Sequence, residues 1–307
     1  MACKNCIEKP VINLTNNNIK LCKNHFIKYF EKKTFKTIKD FNLIEKNDKV
    51  AVGVSGGKDS LTLLSLLLKL KNKIKIFDLE CIAIDEGIQG YRDKTLENAK
   101  RYCEENNVKL NIFSYKNEFG DTLDNFLKKT SMKACSMCGP FRRYLLNKKS
   151  KELGFTKLAT GHNLDDEAQT IMMNYFRRNL ETSARLGPIT GILKDKRFIK
   201  RIKPLYFLTE KEVATYAFLK KLINEFSECP HSSDSYRGDL RDMLNNFEAK
   251  YPGTKHSIIT SFIELLPLLK ENFKNKIELK NCKVCDEPCS QEICQTCKIV
   301  EILKSKK

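Results

Sequence analysis

Val50-Ala51-Val52-Gly53-Val54-Ser55-Gly56-Gly57-Lys58-Asp59-Ser60-Leu61-Thr62-Leu63-Leu64 is the stretch that decides the fold. Its apolar start reads as a buried parallel strand, and Leu61 to Leu68 reads as a helix. Glycines in the turn between them let backbone N–H groups approach an anion, and the helix dipole favours negative charge there. The turn is not a Walker A loop, which needs four residues between its first glycine and Gly-Lys-[Ser/Thr]. Gly53, Val54, Ser55, Gly56, Gly57 and Ser60 are therefore expected to line a phosphate site through backbone and hydroxyl groups. Lys58 adds charge to that site. Asp59, at the helix start, is either a ligand for Mg²⁺ or a helix cap.

Strand and helix signals alternate on both sides of this turn, the pattern of an α/β doubly wound parallel sheet. After Val50–Val54 the expected strands are Leu79–Ile84, Leu110–Tyr115, Lys157–Thr160 and Lys200–Pro204. Ligands in such sheets bind beyond the carboxyl ends of the strands. Asp85 stands at one such end and is read as a nucleoside contact or a loop cap. Another end carries Gly161-His162-Asn163-Leu164-Asp165-Asp166-Glu167-Ala168, an acidic turn that opens a helix. Gly161 and His162 are expected to line the nucleotide site, with Asp166 as acid/base or metal ligand. Thr209 with Glu212 three residues on reads as the capping box of a later helix.

The chain has 307 residues and a formal net charge of +18. That balance points to a polyanionic partner, most plausibly nucleic acid, although an excess of lysine across a whole proteome gives the same sum. No apolar run reaches the roughly 20 residues of a membrane span and the start lacks a signal-peptide pattern, so a soluble, cytoplasmic protein is expected.

Thirteen cysteines in such a chain argue for metal rather than disulfides. Cys3-x-x-Cys6 with Cys22-x-x-His25, and Cys282-x-x-Cys285 with Cys294-x-x-Cys297, each supply two knuckles that can wrap one tetrahedral zinc. Cys289 is surplus to the second set. Cys81 and Cys103 read as core cysteines. Cys135-x-x-Cys138, followed by Gly139-Pro140 and Arg142-Arg143, is placed on a loop. Cys229 is a distant third thiol. Three thiolates fit a four-iron cluster with one open position. A catalytic disulfide or persulfide at Cys135 and Cys138 is the alternative.

Taken in order, the first knuckles, the Ser55–Ser60 loop, Cys135-x-x-Cys138, the Gly161–Glu167 turn, Cys229 and the terminal knuckles resemble the tRNA 2-thiouridine synthetases of the TtcA/TtuA group. The match is to the archaeal and eukaryotic-type branch with two zinc modules. The resemblance implies a pyrophosphate-loop (PP-loop) ATP pyrophosphatase fold of the adenine nucleotide alpha hydrolase-like type. It divides the chain into a zinc module at 1–30, a catalytic domain at 31–275 and a second zinc module at 276–307. It further implies adenylation of the C2 oxygen of a tRNA uridine, at position 34 or 54, and replacement of that oxygen by sulfur. In cluster-dependent members the cysteines matching Cys135, Cys138 and Cys229 hold a [4Fe-4S] cluster whose unique iron carries sulfide, and the aspartate matching Asp166 is catalytic. A bacterial-type member has lysine where this chain has Arg142, and arginine stays charged, which argues against proton transfer at this position. The implied sulfur donor is sulfide or a ubiquitin-like thiocarboxylate carrier, and the implied assembly is a homodimer. Another PP-loop tRNA-modifying ligase is the competing enzyme, and it has no use for the three thiols.

Overall fold

The structure is a computed structural model and describes residues 2–192, 195, 197–223, 228–231, 236–276 and 279–305. In chain order the elements are β1 (Ile12–Asn13), β2 (Lys20–Leu21), α1 (Lys23–Asp40), β3 (Lys49–Gly53), α2 (Lys58–Ile74), β4 (Asp78–Asp85), α3 (Arg92–Glu105), β5 (Leu110–Ser114), α4 (Tyr115–Phe119), α5 (Leu123–Lys128), α6 (Ala134–Glu152), β6 (Lys157–Ala159), α7 (Leu164–Phe176), α8 (Leu180–Ala184), β7 (Lys200–Ile202), α9 (Glu210–Leu219), α10 (Tyr236–Lys250), α11 (Thr254–Lys274), β8 (Lys280–Asn281), β9 (Pro288–Cys289) and α12 (Gln295–Lys304).

Five parallel strands form the central sheet in the order β5-β4-β3-β6-β7. The chain winds outward from β3 through β4 to β5, then returns to build β6 and β7 on the other side. The strand order therefore reverses beside β3, and a crevice opens there beyond the carboxyl ends of β3 and β6. The doubly wound reading holds.

The apolar run of β3 is a consequence of this burial. Val50 and Val52 point to one core with Leu61, Leu64 and Leu67 of α2, whereas Ala51 points to the other with Leu158, Phe141 and Leu145. Both faces are covered, so no polar alternation survives in the strand. Each fully buried leucine of α2 contributes about 1.5–3 kcal/mol of transfer free energy.

Helices α1 and α9 fix the approach to the crevice. Phe30 stacks on Tyr216 with ring centroids 4.4 Å apart, and the Tyr216 hydroxyl donates to Glu31 at 3.1 Å. Thr209 caps α9 by accepting from the Glu212 backbone N–H, and Glu212 accepts in return from that of Thr209, as the sequence led one to expect. Neither terminal module stands apart from this frame. Cys3, Leu14, Leu21 and Cys22 join the core beside α2, and Ile299 and Leu303 of α12 join the core beneath α6. No helix among the described residues is long and apolar enough to cross a membrane.

One placement is corrected. Cys135 and Cys138 lie not on a loop but in the first turns of α6, which runs from Ala134 through Pro140 to Glu152. Gly139-Pro140 reads as a breaker, yet α6 continues through it in the second turn, at the cost of the ladder bond to the Ser136 carbonyl. Met137 and Phe141, both fully buried, anchor the helix on either side of it.

Candidate active-site cleft and two metal modules

The phosphate turn is braced from within. Ser60 Oγ receives the Ser55 backbone N–H at 3.1 Å and donates to the Gly57 carbonyl at 3.0 Å. Gly56 sits at φ +84°, and a Cβ there would lie 1.7 Å from the Thr95 carbonyl oxygen, so only glycine fits against α3. The N-cap of α2 is Gly57, without a side-chain cap, which leaves the first turn's N–H groups available to an anion. Lys58 is ion-paired to Asp59 and Glu210, both at 3.0 Å.

Asp59 does not cap α2. Its Oδ1 accepts from Asn163 Nδ2 at 3.0 Å, tying the phosphate turn to the Gly161–Glu167 turn. Gly161 packs so closely that a Cβ would come within 2.9 Å of the Asp59 carbonyl carbon. Asn163 and Asp166 form a reciprocal capping box on α7. Burial pushes the Asp166 carboxyl above the usual carboxylate range, against the pull of Arg237. Arg237 donates to the Asp166 carbonyl at 2.8 Å and lies 3.8 Å from its carboxylate. His162 is reached by solvent, with its Nδ1 2.9 Å from the Thr160 hydroxyl. Burial first, and then Lys203, Arg237, Arg201 and Arg142, lower its pKa to about 3, so the ring is neutral. Asp85 Oδ1 accepts the Gly87 N–H at 2.9 Å, the loop-cap arrangement.

The thiols gather at the start of α6. Cys135, Cys138, Gly139, Arg142 and Arg143 follow at helical spacing along one side of α6. Cys135 Sγ lies 3.6 Å from the His231 carbonyl, and the Cys229 thiol takes the His231 backbone N–H. Cys229 also feels the charge of both other thiols and packs on the cluster that holds Cys138 and Phe141. The three are thus brought together across more than 90 residues of sequence.

A bridge that is buried at Glu86 and Arg92 and open to solvent at Arg142 joins the thiols to the phosphate turn. Arg142 Nη2 lies 3.2 Å from Cys138 Sγ, and its Nε is 2.8 Å from Glu86. The other oxygen of Glu86 is 2.9 Å from Arg92 Nε, and Arg92 Nη1 donates to the Ser55 carbonyl at 2.6 Å. Glu86 and Arg92 are 4% and 3% exposed, so this ion pair is held by the fold rather than by solvent. Tyr115 adds a hydroxyl donated to the Cys138 carbonyl at 2.9 Å. Glu86, Arg92, Asn163, Glu210 and Arg237 escape the sequence reading.

At the chain's two ends, the ligand atoms of Cys3, Cys6, Cys22 and His25, and those of Cys282, Cys285, Cys294 and Cys297, lie within 4.8 Å of one another, close enough to share one ion. Cys289 turns away and donates to the Gln291 carbonyl.

A family model described as a PP-loop domain matches residues 14–246. The chain is 36% identical to the tRNA 2-thiolation protein NcsA of Haloferax volcanii, over 99% of this chain and all of the relative. It is 38% identical to the tRNA-5-methyluridine(54) 2-sulfurtransferase of Pyrococcus horikoshii, over 97% and 93% of the two chains. The chain belongs to the PP-loop tRNA 2-thiolation family. The solved U34-tRNA thiolase NcsA of Methanococcus maripaludis, described with its [4Fe-4S] cluster, superposes with a TM-score of 0.84 at 36% identity, covering 98% of this chain and 96% of the other.

Within this PP-loop thiolation fold the triad fits an iron–sulfur cluster better than a single ion. Cys135, Cys138 and Cys229 do not converge within 4.8 Å as the two terminal quartets do. They still meet across the His231 backbone, with a guanidinium set against one thiol as an anionic ligand set needs.

Proposed function

We propose that the chain is an ATP-dependent tRNA uridine 2-sulfurtransferase that activates the uracil C2 oxygen as an adenylate and replaces it with sulfur. The bridge Ser55–Arg92–Glu86–Arg142–Cys138 carries this reading, because it holds a nucleotide turn and a three-thiol site in one frame.

ATP is bound by Gly53, Val54, Ser55, Gly56, Gly57 and Ser60, with Lys58 supplying charge, Asp59 serving Mg²⁺ and Asp85 beside the nucleoside. Gly161 and His162 complete the wall. In the first step the C2 oxygen attacks the α-phosphorus, a C2–O–P link forms, and the bond to pyrophosphate breaks. Asp166 takes the proton that the ring sheds as its oxygen becomes nucleophilic; a carboxyl raised by burial is a better base for this than an ordinary one. Sulfur then adds at C2, and AMP leaves with the original oxygen. Neutral His162 presents no second acid to quench the sulfur nucleophile.

A [4Fe-4S] cluster held by Cys135, Cys138 and Cys229 would supply an iron with a free position for the incoming sulfur. Arg142 holds Cys138 in place as a positioning residue. The terminal quartets each hold one Zn²⁺ and, with the basic surface, grip the tRNA. The target is the uridine at position 34 or 54, and the sulfur comes from sulfide or a ubiquitin-like thiocarboxylate carrier. The protein works in the cytoplasm as a homodimer, with modules dividing near residues 30 and 275.

Asp166→Asn is the test. AMP release and 2-thiouridine formation are expected to fall together by about 10²–10⁴-fold, the usual worth of a general base. Affinities for ATP and tRNA should stay near those of the parent, as measured by filter binding. Undiminished thiolation by this variant would remove Asp166 from the chemistry.

A further inference from the structure

Most cations around the cleft have an acidic partner. Lys58 has Asp59 and Glu210, Arg92 and Arg142 share Glu86, Lys203 has Glu167 at 2.7 Å, and Arg237 faces Asp166. Arg143 and Arg201 are different. Among the described residues neither guanidinium makes an ion pair or side-chain hydrogen bond, and the charged group that disfavours Arg201 is Arg143. Arg201 is half-buried, and burial first, then that repulsion, bring it down to about 10, whereas Arg143 reaches solvent.

The two meet because of register. Arg201 is the middle residue of β7 and pairs with Leu158 of β6, so its side chain lies on the sheet face that Leu158 shares with α6. Arg143 lies one turn before Asn147 of α6, whose Oδ1 accepts the Ile199 N–H at 3.0 Å two residues ahead of Arg201, and it folds back over Gly139, where a Cβ would lie 3.2 Å from its Nη1. Arg201 bears electrostatically on His162 and Arg143 on Cys138, so the pair lies near both the Gly161–Glu167 turn and the thiols. Strand β7 is the edge on the opposite side of β3 from β4, which carries Asp85.

Two neighbouring guanidiniums with no carboxylate leave the fold with positive charge it does not itself balance. Planar forks of this kind match phosphate bidentately. We propose that Arg143 and Arg201 form a phosphate clamp that takes a backbone phosphate of the RNA beside the base being modified. The clamp rests on the tRNA reading above. It gives the cleft a way to seat the target nucleotide that is separate from the ATP phosphates.

The experiment compares anaerobically reconstituted parent protein with R143Q/R201Q and R143K/R201K. Three quantities are measured for each: tRNA affinity across a salt series, ATP affinity without tRNA, and cluster absorbance per chain. The glutamine pair should bind tRNA at least about 10-fold more weakly, with a salt slope lower by about 1–2. Its ATP affinity and cluster absorbance should match the parent, and the lysine pair should recover part of the loss. Weaker ATP binding with unchanged tRNA binding would assign the phosphate to the nucleotide and overturn the clamp. Loss of cluster absorbance alone would show that the pair merely balances the thiolates, and three unchanged quantities would show no anion site. A parent protein that binds tRNA without thiolating it would instead overturn the preceding proposal, and the clamp result would still stand.

Discussion

Cys229→Ala protein, purified without oxygen, is expected to be colourless near 400 nm and to form 2-thiouridine more than about 10³-fold more slowly than the parent, as when one member of a catalytic unit is removed. Cys229 is separated from Cys138 by 91 residues, 229 − 138, yet packs on the same apolar cluster and shares the His231 backbone with Cys135. Its thiol is only half-buried, so the substitution removes a ligand without hollowing the core. The melting temperature of the metal-free protein should therefore move little. The zinc content of the terminal modules should also hold, since their ligands lie elsewhere. The variant separates the two sulfur chemistries open to the Cys135–Cys138 pair. A persulfide or disulfide made by those two thiols does not need Cys229, and substantial thiolation by Cys229→Ala would favour it.

Gly56→Ala should cost the most stability of any small change in the cleft. The alanine would have to keep φ near +84° and push its methyl into the Thr95 carbonyl, a backbone group of α3 that cannot turn aside. Unfavourable backbone geometry costs about 1–3 kcal/mol and overpacking about 1–3 more. A combined loss of that order lowers the melting temperature by roughly 5–20 °C for a domain of this size. Gly57→Ala is the control, because its Cβ would meet nothing closer than Ser55 Oγ at 3.6 Å. Gly57→Ala should melt like the parent, and equal melting temperatures for the two variants would contradict the packing described for the turn.

Much of the site was written locally. The strand–turn–helix at Val50–Leu68, the helix opening at Asn163 and the capping box at Thr209 depend on residues within a few positions of one another. Period and capping chemistry therefore reveal them. The two cysteine-rich quartets that gather at the chain's ends were legible for the same reason, since each knuckle is a four-residue motif. The bridge from Ser55 to Cys138 was not. Glu86, Arg92 and Arg142 lie on β4's exit, α3 and α6, and only the sheet order brings them together. An acid directly after Asp85 at a strand's carboxyl end was the available signal. Cys135 and Cys138 read as loop residues because Gly139-Pro140 outweighs the periodicity of Met137, Phe141 and Leu145 when that periodicity is read without the core they enter. The short helices α4, α5 and α8 have five or six residues each, too few for a 3.6-residue period to show.

The path of one oxygen atom tests the central claim that a nucleotide-activated base meets sulfur in this cleft. The substrate is tRNA carrying ¹⁸O at C2 of the target uridine, incubated anaerobically with the reconstituted protein, ATP and sulfide. Mass spectrometry of the products should find the label in the phosphate of AMP, one for each 2-thiouridine formed. Two-thiouridine accompanied by unlabelled AMP would mean that the C2 oxygen never joined the α-phosphate, and the account would be wrong at its base.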